Sequence, residues 1–132
     1  MLLLDTNALV WWLTDDRRLG RRAGRRIDAA WPDGLTASAM SWYELSTLRD
    51  RRRFEVDEPI PAMRRRLVDA GLTELDITGS IALDAADLDG MSRDPVDRMI
   101  VATARTHGAT LVTSDREILA WRGELSRLDA RR

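Results

Sequence analysis

Four acidic residues stand where a carboxylate is costly unless something shares its charge. Asp5 closes the apolar run Leu2–Leu4 in MLLLDTNALVWW, Glu44 lies in SWYELSTL, Asp97 in RDPVDRMIVATA and Asp115 in TLVTSD. A buried carboxylate without a partner costs several kcal/mol. Two of them roughly 4 Å apart repel by about 4 kcal/mol at an effective dielectric of about 20. Protonation or a bound cation are the simplest remedies. The chain has no Cys and one His, so hard carboxylate oxygens are the available donors. They suit Mg2+ or Mn2+ and disfavour zinc. Such a cation can position and activate a water and stabilise charge on a phosphate. Hydrolysis of a phosphodiester is the matching chemistry, and it needs no histidine base.

Each acid has a second use to weigh. Asp5 and Asp115 could cap the helices that follow them. Glu44 stands three residues after Ser41, and Asp97 three after Asp94, which are capping-box spacings, although Glu or Gln is preferred at the second position. Asp94, followed by Pro95, is better explained as a cap than as a ligand. Four such acids at one edge are hard to credit to capping alone.

The elements that must gather them follow from periodicity and punctuation. LLL, LTASAM, LTELDI and ATLVT read as short strands, with LSRLD as a last edge strand. Thr6–Leu13 reads as a helix entering the core, and SWYELSTLRDRRR as a helix capped by Ser41. AMRRRLVDAG and SDREILAW are helical, TGSIALDAADL is a helix capped by Thr78, and FEVDEPIP is a loop. DPVDRMIVATARTHG has Asp94 as cap, Pro95 at the first position and Gly108 as the stop. Pro32-Asp33-Gly34 marks a turn. LGRRAGRRIDAAW is also expected to be helical. Leu19, Ala23 and Ile27 form its apolar stripe, and Arg17, Arg21, Arg25 with Arg18, Arg22, Arg26 cover the opposite half. Gly20 and Gly24 form a third stripe costing about 1 kcal/mol each relative to Ala.

Strands alternating with helices predict an α/β fold, a central parallel sheet covered on both faces. Ligands in such sheets bind outside the carboxyl ends of the strands. Asp5 and Asp115 follow strands there, and Glu44 and Asp97 lie on helices that begin there.

The 132 residues suit one domain over 1–132, and 44% hydrophobic with 33% charged residues describes an ordinary globular chain. The net charge of −1 supplies no global attraction to nucleic acid or membrane. The distribution is uneven: residues 17–66 hold 13 Arg against 7 acids, and residues 67–132 hold 8 against 12. All 21 basic residues are arginine, which a coding bias explains. The Arg17–Arg26 face and Arg64-Arg65-Arg66 are ordinarily solvated, but arginine forks match phosphates, so Arg18, Arg22 and Arg26 are candidates for RNA contact. His107 is placed to favour a helix dipole, and the five Trp are core or interface anchors. Absence of Cys fits a reducing compartment. The N-terminus has no basic stretch and carries Asp5, so it is not expected to be a signal peptide. No apolar run reaches the roughly 18 residues of a membrane span.

LLLDTNALVWWL, SWYELSTL, RDPVDRMIVATA and TLVTSD, in this order, resemble the PIN-domain family, and within it the VapC-type toxin ribonucleases of bacterial toxin–antitoxin modules. The resemblance spans nearly the whole chain. It implies a three-layer α/β/α domain with a mainly parallel sheet, and Mg2+- or Mn2+-dependent cleavage of RNA. It places metal-site and catalytic roles on Asp5, Glu44, Asp97 and Asp115, and polar support on Thr113 or Ser114. It further implies a cytoplasmic homodimer silenced by a cognate antitoxin that covers the site. Asn7 stands where relatives often have His, and Val96 where they often have Phe; both bear on substrate preference more than on activity. An RNA-processing PIN nuclease without an antitoxin is the alternative among enzymes. A non-cleaving RNA- or protein-binding module is the alternative outside them, and the complete acidic set argues against it. A receiver domain would need a late lysine, and a haloacid-dehalogenase-like phosphatase an acid at position 7, where Asn7 stands.

Overall fold

The computed structural model describes residues 1–50 and 57–132. In chain order the elements are β1 (Leu2–Leu4), α1 (Thr6–Leu13), α2 (Arg21–Ala30), β2 (Leu35–Ser38), α3 (Ala39–Asp50) and α4 (Ile60–Asp69). They continue with β3 (Thr73–Leu75), α5 (Gly79–Ala86), α6 (Pro95–His107), β4 (Thr110–Thr113), α7 (Arg116–Ala120) and β5 (Arg127–Asp129). Every described strand pairing is parallel, in the order β3-β2-β1-β4-β5. The chain builds outward from β1 through β2 to β3, then returns through α5 and α6 to lay β4 on the other side of β1. That reversal leaves a crevice at the carboxyl ends of β1 and β4.

The central strand is apolar on both faces because both are covered. Leu2 and Leu4 pack with Leu9, Ile27 and Met63 of α1, α2 and α4. Leu3 packs the other way, with Leu111 of β4 and with Ile100, Val101 and Ile118 of α6 and α7. This is strand alternation in a sheet buried on both sides, each such leucine contributing about 1.5–3 kcal/mol. The expected three-layer α/β/α arrangement is the one observed. Helix α6 is also bounded as expected: Asp94 Oδ1 accepts from the N–H groups of Val96 at 2.9 Å and Asp97 at 3.2 Å, and Gly108 ends the helix at φ 60°. Thr78 caps α5, accepting from the Ile81 N–H at 3.2 Å.

Three expected boundaries are corrected. Strand β2 stops at Ser38, and α3 begins two residues before Ser41. Ser38 Oγ accepts the Met40 N–H at 3.1 Å and so does the job expected of Ser41. Ser41 is buried inside the helix, where its Oγ accepts the Thr6 hydroxyl at 3.1 Å. A contact between α1 and α3 therefore claims the serine that composition marks as a cap, and Glu44 completes no capping box.

The second correction concerns the arginine-rich helix, which starts at Arg21, so Arg17 and Arg18 precede it. Leu19 still packs on the core that contains Ala23 and Ile27. The two glycines are not equivalent. A Cβ on Gly20 would lie 2.2 Å from the Arg132 carbonyl carbon and 2.4 Å from that of Arg131, whereas on Gly24 it would meet only Leu19 Cδ2 at 3.8 Å. Gly20 admits the C-terminal backbone; Gly24 merely lowers helix propensity. Gly20→Ala is therefore expected to cost about 1–3 kcal/mol in urea melts, the scale of overpacking. Gly24→Ala is expected to gain about 0.5–1 kcal/mol. Equal effects from the two would contradict this distinction.

Helix α4 begins at Ile60, ahead of the expected AMRRRLVDAG, with Pro61 in its first turn. Residues 51–53 of the expected third helix and 54–56 of the expected loop lie outside the described residues. Among the described residues, no helix is long and apolar enough to cross a membrane.

Candidate active site

Strand β1 delivers Asp5 to the carboxyl edge of the sheet, and β4 holds it there. The Asp5 N–H donates to the Val112 carbonyl at 2.9 Å. Asp5 Oδ1 accepts the Thr6 N–H at 2.8 Å and Oδ2 accepts the Thr113 hydroxyl at 2.6 Å. Thr113 Oγ1 in turn accepts the Asp115 N–H at 3.0 Å, and Asp115 Oδ1 accepts the Ile118 N–H at 3.0 Å. One hydroxyl at the end of β4 thus couples the two strand-end aspartates. Capping and convergence are not alternatives here, since Asp5 and Asp115 each cap a helix and also face the crevice.

Three of the site's carboxyls, on Asp5, Glu44 and Asp97, are held back from ionising. Asp5 is 7% exposed. Burial raises its carboxyl above the usual value; the bonds from Thr113 and Thr6 oppose this, while Asp115 and Asp94 add to it. Glu44, on α3, is also raised, first by burial and then by Asp5, Asp94 and Asp115, with the Thr6 hydroxyl pulling the other way. Asp97, in the first turn of α6, is pushed up to about 8, by burial first and then by Asp5, Asp94, Asp115 and Glu44. Its carboxyl completes no capping box, because the Asp94 N–H donates instead to Ser92 Oγ at 3.2 Å.

These five acids line one cleft of about 420 Å³, with Asn7, Ser114, Arg116 and Arg131 also on its walls. All four acids singled out from sequence meet there, with Asp94 beside them, and Thr113 is buried against Asp5. Among the described residues, no three Asp, Glu, His or Cys side chains form a ready-made metal-holding group. The acids surround the cleft without closing into a shell. The donor set is nevertheless one of hard carboxylate oxygens, and three of the carboxyls, on Asp5, Glu44 and Asp97, resist ionising beside their neighbours. A hard divalent cation that keeps some of its waters fits it, and would remove the repulsion.

The arginine candidates divide. Arg22 and Arg26 are exposed on α2. Arg18 pairs with Asp16 at 2.8 Å and lies 5.0 Å from the Trp11 ring centroid, so its guanidinium is not part of the α2 face. None of the three lines the acidic cleft. The tryptophans behave as anchors: Trp11 is buried, the rings of Trp12 and Trp31 lie 5.1 Å apart, and Trp42 and Trp121 donate to Glu74 Oε1 at 2.5 Å and the Asp89 carbonyl at 2.8 Å. His107 is exposed in the last turn of α6, as the dipole argument expects.

Sequence reasoning missed Arg98, Arg116 and Arg131. Arg98 donates to the carbonyls of Ser92, Ala85 and Met91 at 2.7, 2.9 and 3.2 Å, fastening the approach to α6 and with it Asp94 and Asp97. An arginine beside an aspartate in a helix's first turn carries no local sign of that role. Asn7 does line the cleft, while Val96 packs against the core between α6 and the sheet.

Residues 2–122 match the PIN domain family. The chain is 36% identical over 122 residues to Ribonuclease VapC22 of Mycobacterium tuberculosis, which covers 92% of each chain. Among solved structures it is similar to VapBC-1 from nontypeable Haemophilus influenzae, with a TM-score of 0.72 and 18% identity over 99% of this chain and 98% of that one. It is also similar to VapBC2 from Rickettsia felis bound to a DNA fragment of the promoter, with a TM-score of 0.69 and 15% identity over 96% of each. At those identities the structural likeness speaks for the fold.

Proposed function

This chain belongs to the PIN-domain family, and from that premise we propose that it is a metal-dependent endoribonuclease, the toxin of a toxin–antitoxin module. The observation that carries the chemistry is the convergence of Asp5, Glu44, Asp97 and Asp115 on one cleft at the switch point of the sheet. In this reading those four residues hold Mg2+ or Mn2+. An ion held there would supply Lewis-acid stabilisation of charge on the scissile phosphate and activation of a water. Thr113 fixes the orientation of Asp5 through its 2.6 Å bond. Asp94 fixes the start of α6, and hence Asp97. Burial and the neighbouring acids push the Asp97 carboxyl up to about 8, which favours its protonated form near neutrality.

The substrate in this reading is RNA, with Arg22 and Arg26 contributing outer positive surface. The cytoplasmic partners are a second copy of the chain and an antitoxin that covers the cleft; structural neighbours support the latter, one being a toxin–antitoxin complex from Klebsiella pneumoniae. A partner arginine entering the cleft could neutralise its acids through charge-assisted hydrogen bonds.

Purified protein is expected to cut single-stranded RNA with Mg2+ or Mn2+ and to stop on adding chelator. Intact RNA under every metal condition, or cleavage indifferent to chelator, would contradict the proposal. Expression of the wild type is expected to arrest growth, and that of Asp97→Asn is not. Harmless expression of an enzyme that cuts RNA in vitro favours RNA processing without an antitoxin.

A further inference from the structure

Arg131 reaches the acidic cleft from a part of the chain that contributes none of the acids, and it neutralises none of them. Its backbone is clamped on both sides. The Ala130 N–H donates to the Thr113 carbonyl at 2.8 Å, the Gly20 N–H to the Ala130 carbonyl at 2.8 Å, and the N–H groups of Arg22 and Ala23 to the Arg132 oxygen at 2.8 and 3.0 Å. The Arg131 N–H donates to Asp129 Oδ1 at 2.9 Å. The absence of a side chain at Gly20 is what lets α2 lie against this segment. The Arg131 guanidinium passes 5.8 Å from the Trp11 ring centroid and donates through Nη1 to the Ser114 carbonyl. It lines the cleft with five carboxylates, yet among the described residues it forms no ion pair.

A mobile arginine beside such a cleft would be drawn to a carboxylate. This one is held by a neutral carbonyl and an aromatic face, which fix its direction and leave most of its five N–H donors unspent. An RNA strand must approach a cleft whose own charge repels it, and a planar fork on the wall suits one phosphate through two parallel hydrogen bonds. We propose that Arg131 is a substrate-binding residue that grips an RNA phosphate beside the scissile bond. The proposal rests on the ribonuclease reading above and adds to it the point where the strand is held.

The test compares wild type with Arg131→Ala, Arg131→Gln, Arg131→Lys and the control Arg132→Ala. The Arg132 side chain sits 3.9 Å from Asp129 and does not line the cleft. Cleavage of a single-stranded RNA with Mn2+ is followed across a salt series, with thermal melts alongside. Arg131→Ala is expected to raise KM about tenfold or more, the scale of one charge-assisted hydrogen bond. Its change in kcat is expected to be much smaller. Its log–log salt slope is expected to flatten by about 0.7, the value for one phosphate on a single strand. Arg131→Gln keeps a polar side chain over the Trp11 face but loses the charge and the guanidinium fork, so it behaves like the alanine variant; Arg131→Lys retains part of the binding and most of the slope. An Arg131→Gln enzyme with normal KM and slope overturns the proposal. So does a fall in kcat with unchanged KM and lowered melting temperature, which marks a residue that only positions Ser114 and Asp115. A wild type that neither binds nor cuts RNA fails at the earlier step and overturns the ribonuclease reading together with the grip.

Discussion

Asp97→Asn is expected to cut RNA at least about 100-fold more slowly than wild type, the scale of losing one preorganised electrostatic group. The substitution keeps the volume of the side chain and leaves the Asp94 cap on α6 untouched, since that cap engages the backbone N–H groups of Val96 and Asp97. The fold therefore survives while the cleft loses a carboxylate. Asp5→Asn is expected to lose at least as much activity, because Asp5 also orders Thr113 and, through it, the Asp115 backbone. Single-turnover cleavage at saturating Mn2+ measures both. Full activity in either variant would remove that residue from the proposed site.

The same Asp97→Asn substitution is expected to stabilise the protein when no divalent ion is present. The folded carboxyl titrates at about 8, against an ordinary value of 3.8. Below the ordinary value both folded and unfolded chains are protonated, and Asp97 adds no pH dependence. As pH rises through the window between the two values, the unfolded chain releases its proton more readily. Folding is penalised by a growing amount until the folded carboxyl also ionises. Partial exposure and screening reduce the penalty to about 1–3 kcal/mol. Removing it is worth at least a few degrees of melting temperature near pH 8. At pH 3, below the ordinary value, the variant and the wild type should melt nearly together. Mg2+ should stabilise wild type by about 2.7 kcal/mol at a hundred times its dissociation constant, and the variant much less. Melts in chelator at pH 3, 6 and 8 decide the matter, and parallel pH profiles would contradict it. Asp97 is a cleaner probe than Asp5. Burial and neighbouring carboxylates alone raise it, whereas Asp5→Asn would turn an amide toward a Thr113 hydroxyl that already accepts the Asp115 N–H.

What was legible in the sequence is what local rules decide. An apolar triplet ending on Asp5, a strand ending in Thr113-Ser114-Asp115 and a helix opened by Asp94-Pro95 need no tertiary information to be placed at one edge of a parallel sheet. The misplacements came where two local signals were equally good and a distant contact chose between them. Ser38 and Ser41 are both suitable caps, and the Thr6 hydroxyl selects Ser41 for the helix interior. Leu19 continues the four-residue stripe of Ala23 and Ile27, which extends the apparent helix backward. The close approach of Arg131 and Arg132 at Gly20 sets its true start. Arg131 could not be found at all, because its position depends on how β5 pairs with β4 and where the segment after it turns.

The central claim is that the acidic cleft takes up a divalent cation through Asp5, Glu44, Asp97 and Asp115. Mn2+ titration followed by electron paramagnetic resonance tests it most directly, since the six-line signal of free Mn2+ falls as the ion binds. The account predicts saturable loss of that signal with wild type, competition by Mg2+, and strongly weakened uptake in Asp5→Asn and Asp97→Asn. A wild type that cuts RNA while leaving the free Mn2+ signal intact, or variants that take up Mn2+ as tightly as wild type, would contradict it.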